Sequence, residues 1–274
     1  MSRLAARFAQ LRARGESALL PFLTAGDPSL EATPELVLAA AAAGADAIEI
    51  GVPFSDPIAE GPVIQRASER ALRAGATLRR VLQLVAQLRP QIEAPLLLMG
   101  YANPFYAMGA EAFAAAAAAA GVDGVICPDL PPEEGADFYA ALAGRGVDGV
   151  LMAGPTTMPR RLAQLTRQTR GFLYYVSLTG VTGARDRLAP GIEAGVRAAR
   201  QSAEIPVCVG FGVSTPAQAA EIGRYADGVV VGSALVSRIE EAARQGGEAG
   251  AAAEAVARFV AALKAPLAAK ARAV

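Results

Sequence analysis

The sequence contains no histidine, no tryptophan, two cysteines and only two lysines, Lys264 and Lys270, both in its Ala-rich C-terminal stretch. Each scarcity excludes a class of chemistry. Without imidazole, the commonest acid/base side chain and the commonest zinc ligand are missing. Without a lysine in the body of the chain, no amine is there to form a Schiff base. Cys127 and Cys208 lie in apolar runs, "GVICPDL" and "IPVCVGF", outside any metal-ligand spacing. They read as reduced, buried thiols of a cytoplasmic protein, and no metal site is expected. Formal net charge is zero, from 26 basic and 26 acidic residues. That balance carries no electrostatic footprint of nucleic acid or of an anionic membrane. No uninterrupted run of about 20 strongly apolar residues exists, so no membrane span is expected. Proton transfer on this chain falls to carboxylates and tyrosines, and an anionic ligand has to be held by local groups.

The chain is 274 residues long and 53% hydrophobic, enough for one large core or two small ones. Short apolar runs alternate with longer helical patterns. Strands are predicted at about 18–24, 46–52, 95–101, 123–129, 148–154, 172–178, 206–212 and 227–233. Eight βα units in this length fit a closed (β/α)8 TIM barrel better than an open doubly wound sheet. We expect a single barrel domain over 1–274, with an extra N-terminal helix and an Ala-rich C-terminal helix and tail from about 245. The opening "MSRLAARFAQLRARG" is Arg-rich and acid-poor, so a transit peptide is one reading. Leu4, Phe8 and Leu11 mark one helical face and favour a leading helix that stays with the fold. Thr33-Pro34-Glu35 and Ser214-Thr215-Pro216 read as helix starts; Gly44, Gly121 and Gly171 read as helix ends.

In "DAIEIGV", Ile48, Ile50 and Val52 share one strand face and Ala47, Glu49 and Gly51 the other. A salt bridge at a strand end is one reading of Glu49. Closure into a barrel gives another: the isoleucines lie under the helix layer and Glu49 points into the mouth, where barrel active sites sit. Three glycine-bearing turns, "TGVTGAR" (179–185), "VGFGVS" (209–214) and "VGSAL" (231–235), follow the last three strands. Gly183, Gly212, Gly232 and Ser233 could offer N–H groups to a phosphate dianion without a nearby lysine. The loop "PFSDPIAEGP" supplies Asp56 and Glu60. A turn role for Asp56, a helix-start charge for Glu60 and simple barrel filling for Tyr174 stay open. The loop "SLTGVTGARDRLAPG" reads as a movable lid. The glycine turns alone are also compatible with a phosphosugar isomerase.

Taken together, "PFLTAGDP", "IEIGVPFSDPIAEGPVIQRAS", "MGYANP", "CPDLPPEE", "YYVSLTGVTGAR", "VGFGVS" and "VGSALV" resemble the tryptophan synthase α-subunit family over nearly the whole chain. The resemblance implies retro-aldol cleavage of indole-3-glycerol phosphate to indole and glyceraldehyde 3-phosphate. It implies Glu49 as general acid/base, Glu60 as the carboxylate facing the indole N–H, and Tyr174 as the active-site tyrosine. The family commonly has Asp where Glu60 stands, in "ADGP" against "AEGP" here, so the side chain is one methylene longer. Phe22, Tyr101, Ile126 and Phe211 resemble the walls of the indole slot. Thr182 resembles the lid threonine that pairs with Asp56 when the loops close, and the phosphate set is again Gly183, Gly212, Gly232 and Ser233. No cofactor is implied for this chain. A pyridoxal-phosphate β subunit is the implied partner, in an α2β2 complex, with Pro53 to Pro57, Asn103-Pro104 and Pro131-Pro132 as interface candidates.

Overall fold

A computed structural model describes residues 1–176, 191–202, 204–210, 212–244 and 249–268. Eight parallel strands close on themselves in chain order. They are β1 (Ala18–Thr24), β2 (Ile48–Gly51), β3 (Leu96–Met99), β4 (Gly124–Ile126), β5 (Asp148–Ala153), β6 (Leu173–Val176), β7 (Val207–Gly210) and β8 (Gly228–Val231). Around them run α1 (Arg3–Arg14), α2 (Thr33–Ala42), α3 (Pro62–Arg73), α4 (Leu78–Leu88), α5 (Ala102–Met108) and α6 (Ala110–Ala120). The ring continues with α7 (Ala136–Gly144), α8 (Pro159–Gln168), α9 (Ile192–Gln201), α10 (Pro216–Gly223), α11 (Ser233–Arg244) and α12 (Ala249–Ala268).

Side-chain alternation divides the core into two layers. Leu19, Leu23, Ile48, Ile50 and Val52 belong to the outer layer, under the helices. Leu20, Phe22, Ala47, Leu97, Met99, Ile126, Tyr174, Cys208 and Val230 fill the lumen. Strands buried on both faces read as continuous apolar runs, which is why the predicted spans 46–52, 95–101 and 123–129 overran β2, β3 and β4, while 18–24 matched β1. Both cysteines are buried and free.

Helix α1 closes the N-terminal end of the barrel. Leu4, Phe8 and Leu11 pack into the lumen cluster, with the Phe8 and Phe172 rings 5.8 Å apart. Ser2, Arg3 and Arg7 bond Asp148, Asp123 and Asp46, three aspartates at strand starts. Three such aspartates also accept a neighbouring strand's N–H: Asp46 from Leu19 at 2.7 Å, Asp123 from Leu96 at 2.9 Å and Asp227 from Val207 at 3.0 Å. Lys264 on α12 donates to Asp46 at 2.8 Å, which ties the terminal helix to this same end.

Three sequence readings need correction. Thr33 is not the cap of α2; Ala32 is, and the Thr33 hydroxyl accepts from Gly26 N–H and donates to the Ser29 carbonyl. Two helices, not one, separate β2 from β3 and β3 from β4. Gly171 lies beyond the end of α8, whose cap is Thr169, though its φ of 74° still needs glycine. By contrast, Gly121 caps α6 in the left-handed conformation, and Thr215 starts α10 with a capping box to Gln218. No described helix is long and apolar enough to cross a membrane.

Candidate active site

The strand ladders fix which lumen side chains are neighbours. Phe22 pairs with Glu49 across β1 and β2, Glu49 with Leu97 on β3, and Tyr174 with Cys208 across β6 and β7. Glu49 has 0% exposure, and both its carboxylate oxygens are buried without a hydrogen-bond partner among the described residues. A strand-end salt bridge is therefore not its role. Burial, first, and the charge of Glu60, second, raise its pKa well above the ordinary 4.5. Both causes favour the neutral carboxyl, the form that can give a proton and later regain it.

Glu60 reaches the same recess from the loop after β2, and it is buried. That loop is held by its backbone. Glu60 N–H donates to the Pro57 carbonyl at 3.0 Å, and Gln65 on α3 donates to the Glu60 carbonyl at 2.8 Å. The Tyr101 hydroxyl accepts from Ala59 N–H at 3.0 Å, with its ring tilted against Phe54. Tyr101 thus fastens the loop that carries Glu60. Burial, then Glu60, keeps the Tyr101 phenol protonated far above its usual range.

Tyr174 is buried in the lumen, and burial followed by Glu49 and Glu60 pushes its pKa well up. Its hydroxyl lies where a side chain at residue 210 would be: a Cβ on Gly210 would approach the Tyr174 oxygen within 2.1 Å. Phe22 needs similar room. A Cβ on Gly51 would stand 2.5 Å from its ring. Glycine at these two strand ends is space for aromatic rings.

The recess is lined by Phe22, Glu49, Glu60, Tyr174, Gly212, Gly232 and Ser233 from the sequence reading. Ile64, Met99, Val213 and Val230 complete it and were not anticipated. Met99 and Val230 were within reach of the period-two rule: Met99 is two residues from Leu97 on β3, and Val230 two before Gly232 at the end of β8. Gly212 has a φ of 85°, a left-handed conformation that favours glycine. Ser233 opens α11, whose first N–H groups have no intrahelical acceptor and so favour an anion. One side of the recess is acidic and apolar; the other carries backbone donors.

The remaining candidates fall elsewhere. Ile126 is buried in the lumen without lining the recess. Asp56 is exposed and bonded to the Ser55 hydroxyl, outside the recess. Thr182, Gly183 and Phe211 lie outside the described residues, as does most of the expected lid. Among the described residues, no group of His, Cys, Asp and Glu could hold a metal ion.

A family model described as "Tryptophan synthase alpha chain" matches residues 8–265. The tryptophan synthase alpha chain of Geobacter sulfurreducens is 50% identical over 266 residues, 96% of this chain and 98% of that one. That of Citrifermentans bemidjiense is 52% identical over 241 residues, 88% of this chain and 90% of its own. Among solved structures, tryptophan synthase subunit alpha from Legionella pneumophila superposes with a TM-score of 0.90 at 37% identity, covering 97% of this chain and 98% of that one. A chain of Mycobacterium tuberculosis tryptophan synthase gives 0.88 at 38% identity, covering 98% and 99%.

Proposed function

The chain belongs to the tryptophan synthase alpha chain family, and we propose that Glu49, Glu60 and Tyr174 carry the family's reaction in it. The reaction is a carbon–carbon cleavage of indole-3-glycerol phosphate to indole and glyceraldehyde 3-phosphate. In this reading, neutral Glu49 donates its proton to the indole carbon bearing the side chain. The ring becomes a cation whose positive charge reaches the N–H, where Glu60 stabilises it. Glu49, now a carboxylate, takes the proton of the adjacent side-chain hydroxyl. The bond between ring and side chain breaks, its electrons return to the ring, and the hydroxyl carbon becomes the aldehyde. The proton count closes on one carboxyl, so neither imidazole nor amine is needed.

Phe22 and Phe211 are proposed for the indole slot, and Gly183, Gly212, Gly232 and Ser233 for the phosphate. Tyr174 orients Glu49 or the substrate, and Asp56 with Thr182 closes the mouth. The longer Glu60 keeps the role through a small adjustment of its loop. One observation carries the reading: Glu49, wholly buried with no partner for either oxygen among the described residues, shares its recess with Glu60, Tyr174 and the start of α11.

The family's α subunit uses no cofactor. We further propose a pyridoxal-phosphate β subunit as partner, in an α2β2 assembly in the cytoplasm, docked through Pro53–Pro57, Asn103-Pro104 and Pro131-Pro132. Ile58, in the loop that carries Asp56 and Glu60, is 75% exposed, as a contact residue there would be. Incubation with indole-3-glycerol phosphate and assay for indole tests the function. Indole from the wild type and none from Glu49→Gln is expected; equal indole from both would remove Glu49 from the mechanism.

A further inference from the structure

Resting on that reading, one arginine outside the recess touches the segments that carry its two halves. Glu60 stands two residues before α3, and Ser233 opens α11; the two helices pack against each other. Arg70, on α3, makes a two-pronged bond to Asp27, from Nε at 2.7 Å and from Nη2 at 2.9 Å. Its third nitrogen donates to Glu240 of α11 at 2.9 Å. Asp27 is 2% exposed and Glu240 7%. Arg66, also on α3, and Arg244 bond the same Glu240 carboxylate from further out. A second contact fits α3 and the turn after it to the turn after β1: a Cβ on Gly26 would stand 3.0 Å from Ala71 on α3 and 2.9 Å from Ala76 beyond it. One planar guanidinium therefore joins three segments: the turn beyond Phe22, the helix behind Glu60 and the helix beginning at Ser233.

We propose that Arg70 is a positioning residue that sets the spacing between the Glu60 carboxylate and the phosphate-holding start of α11. A lysine is a point charge and cannot keep both the Asp27 fork and the Glu240 bond. Loosening the clamp leaves each half of the recess intact and shifts one against the other. A substrate anchored by its phosphate then presents its ring at the wrong distance from Glu60, a loss confined to the chemical step.

The test is steady-state cleavage of indole-3-glycerol phosphate, together with calorimetric binding of inorganic phosphate, on wild type, Arg70→Ala, Arg70→Lys and Glu240→Gln. For Arg70→Ala we expect kcat to fall about tenfold or more, with phosphate affinity changed by less than about twofold. Arg70→Lys should recover thermal stability but not kcat. Should Arg70→Ala not fold, Glu240→Gln, which keeps the Asp27 fork, should show the same split in smaller measure. Wild-type kcat in the folded variants overturns the clamp alone, as does parallel loss of kcat and phosphate binding. Absence of indole from the wild type overturns the reading of the site, and the clamp with it.

Discussion

The negative charge of Glu60 adds to burial in keeping a proton on Glu49, and the two carboxyls line one recess. Two like charges in one desolvated pocket cannot both form cheaply, so their roles separate: one acid, one charge stabiliser. A definite consequence follows for pH. If neutral Glu49 begins the reaction, kcat/KM falls as pH rises through its elevated pKa. In Glu60→Gln the second cause of that elevation is gone, so the same limb, or the Glu49 carboxyl resonance followed by carbon NMR, should move to lower pH. An unmoved midpoint would show that the two carboxyls do not interact.

The same elevation makes Glu49 costly to the fold. Its native pKa lies above the unfolded value near 4.5, so the native state binds the extra proton. Stability from this group is complete below that pH and is lost as pH rises toward the native pKa. Glu49→Gln removes the titration. It should melt higher than wild type at neutral pH, and the gap should narrow as pH falls to about 4.5. A variant less stable than wild type at neutral pH would mean that Glu49 has a stabilising partner.

Gly210 is held to its size by Tyr174. Gly210→Ala places a methyl within 2.1 Å of the phenol oxygen, so the ring has to leave the lumen or the strand has to move. Overpacking of this kind costs about 1–3 kcal/mol. Melting should show that loss, and cleavage should fall further than stability explains. Unchanged activity at unchanged stability would place the Tyr174 ring elsewhere.

Much of this was legible in the sequence, for identifiable reasons. Strands buried on both faces announce themselves as apolar runs, and a lone Glu in such a run is conspicuous. The glycine turns after β7 and β8 marked Gly212, Gly232 and Ser233, which line the recess. The doubled helices after β2 and β3 were also signalled, by the breaks at Gly75-Ala76-Thr77 and at Gly109, where Gly75 and Gly109 take φ of 81° and 89° and Thr77 caps α4. The clamp was not legible, because the partners of Arg70 lie 43 and 170 residues away in sequence. No local pattern distinguishes such an arginine from its solvated neighbours on α3. Ile64 and Val213 were missed for the same reason: they reach the recess from a helix and a turn whose rotation only packing decides.

Ser233 separates fold from function by opposite signs. A carboxylate at the start of α11 complements the helix dipole and should stabilise the protein by about 0.3–1 kcal/mol. The same carboxylate repels a phosphate dianion at those N–H groups and occupies its donors. Ser233→Asp should therefore melt at or above the wild-type temperature while KM for indole-3-glycerol phosphate rises at least about tenfold, a change of about 1.4 kcal/mol in binding. Glu49 and Glu60 are untouched, so kcat at saturating substrate should fall much less than kcat/KM. If KM holds while stability rises, the phosphate is bound elsewhere, and Gly212 and Gly232 lose their proposed role with Ser233.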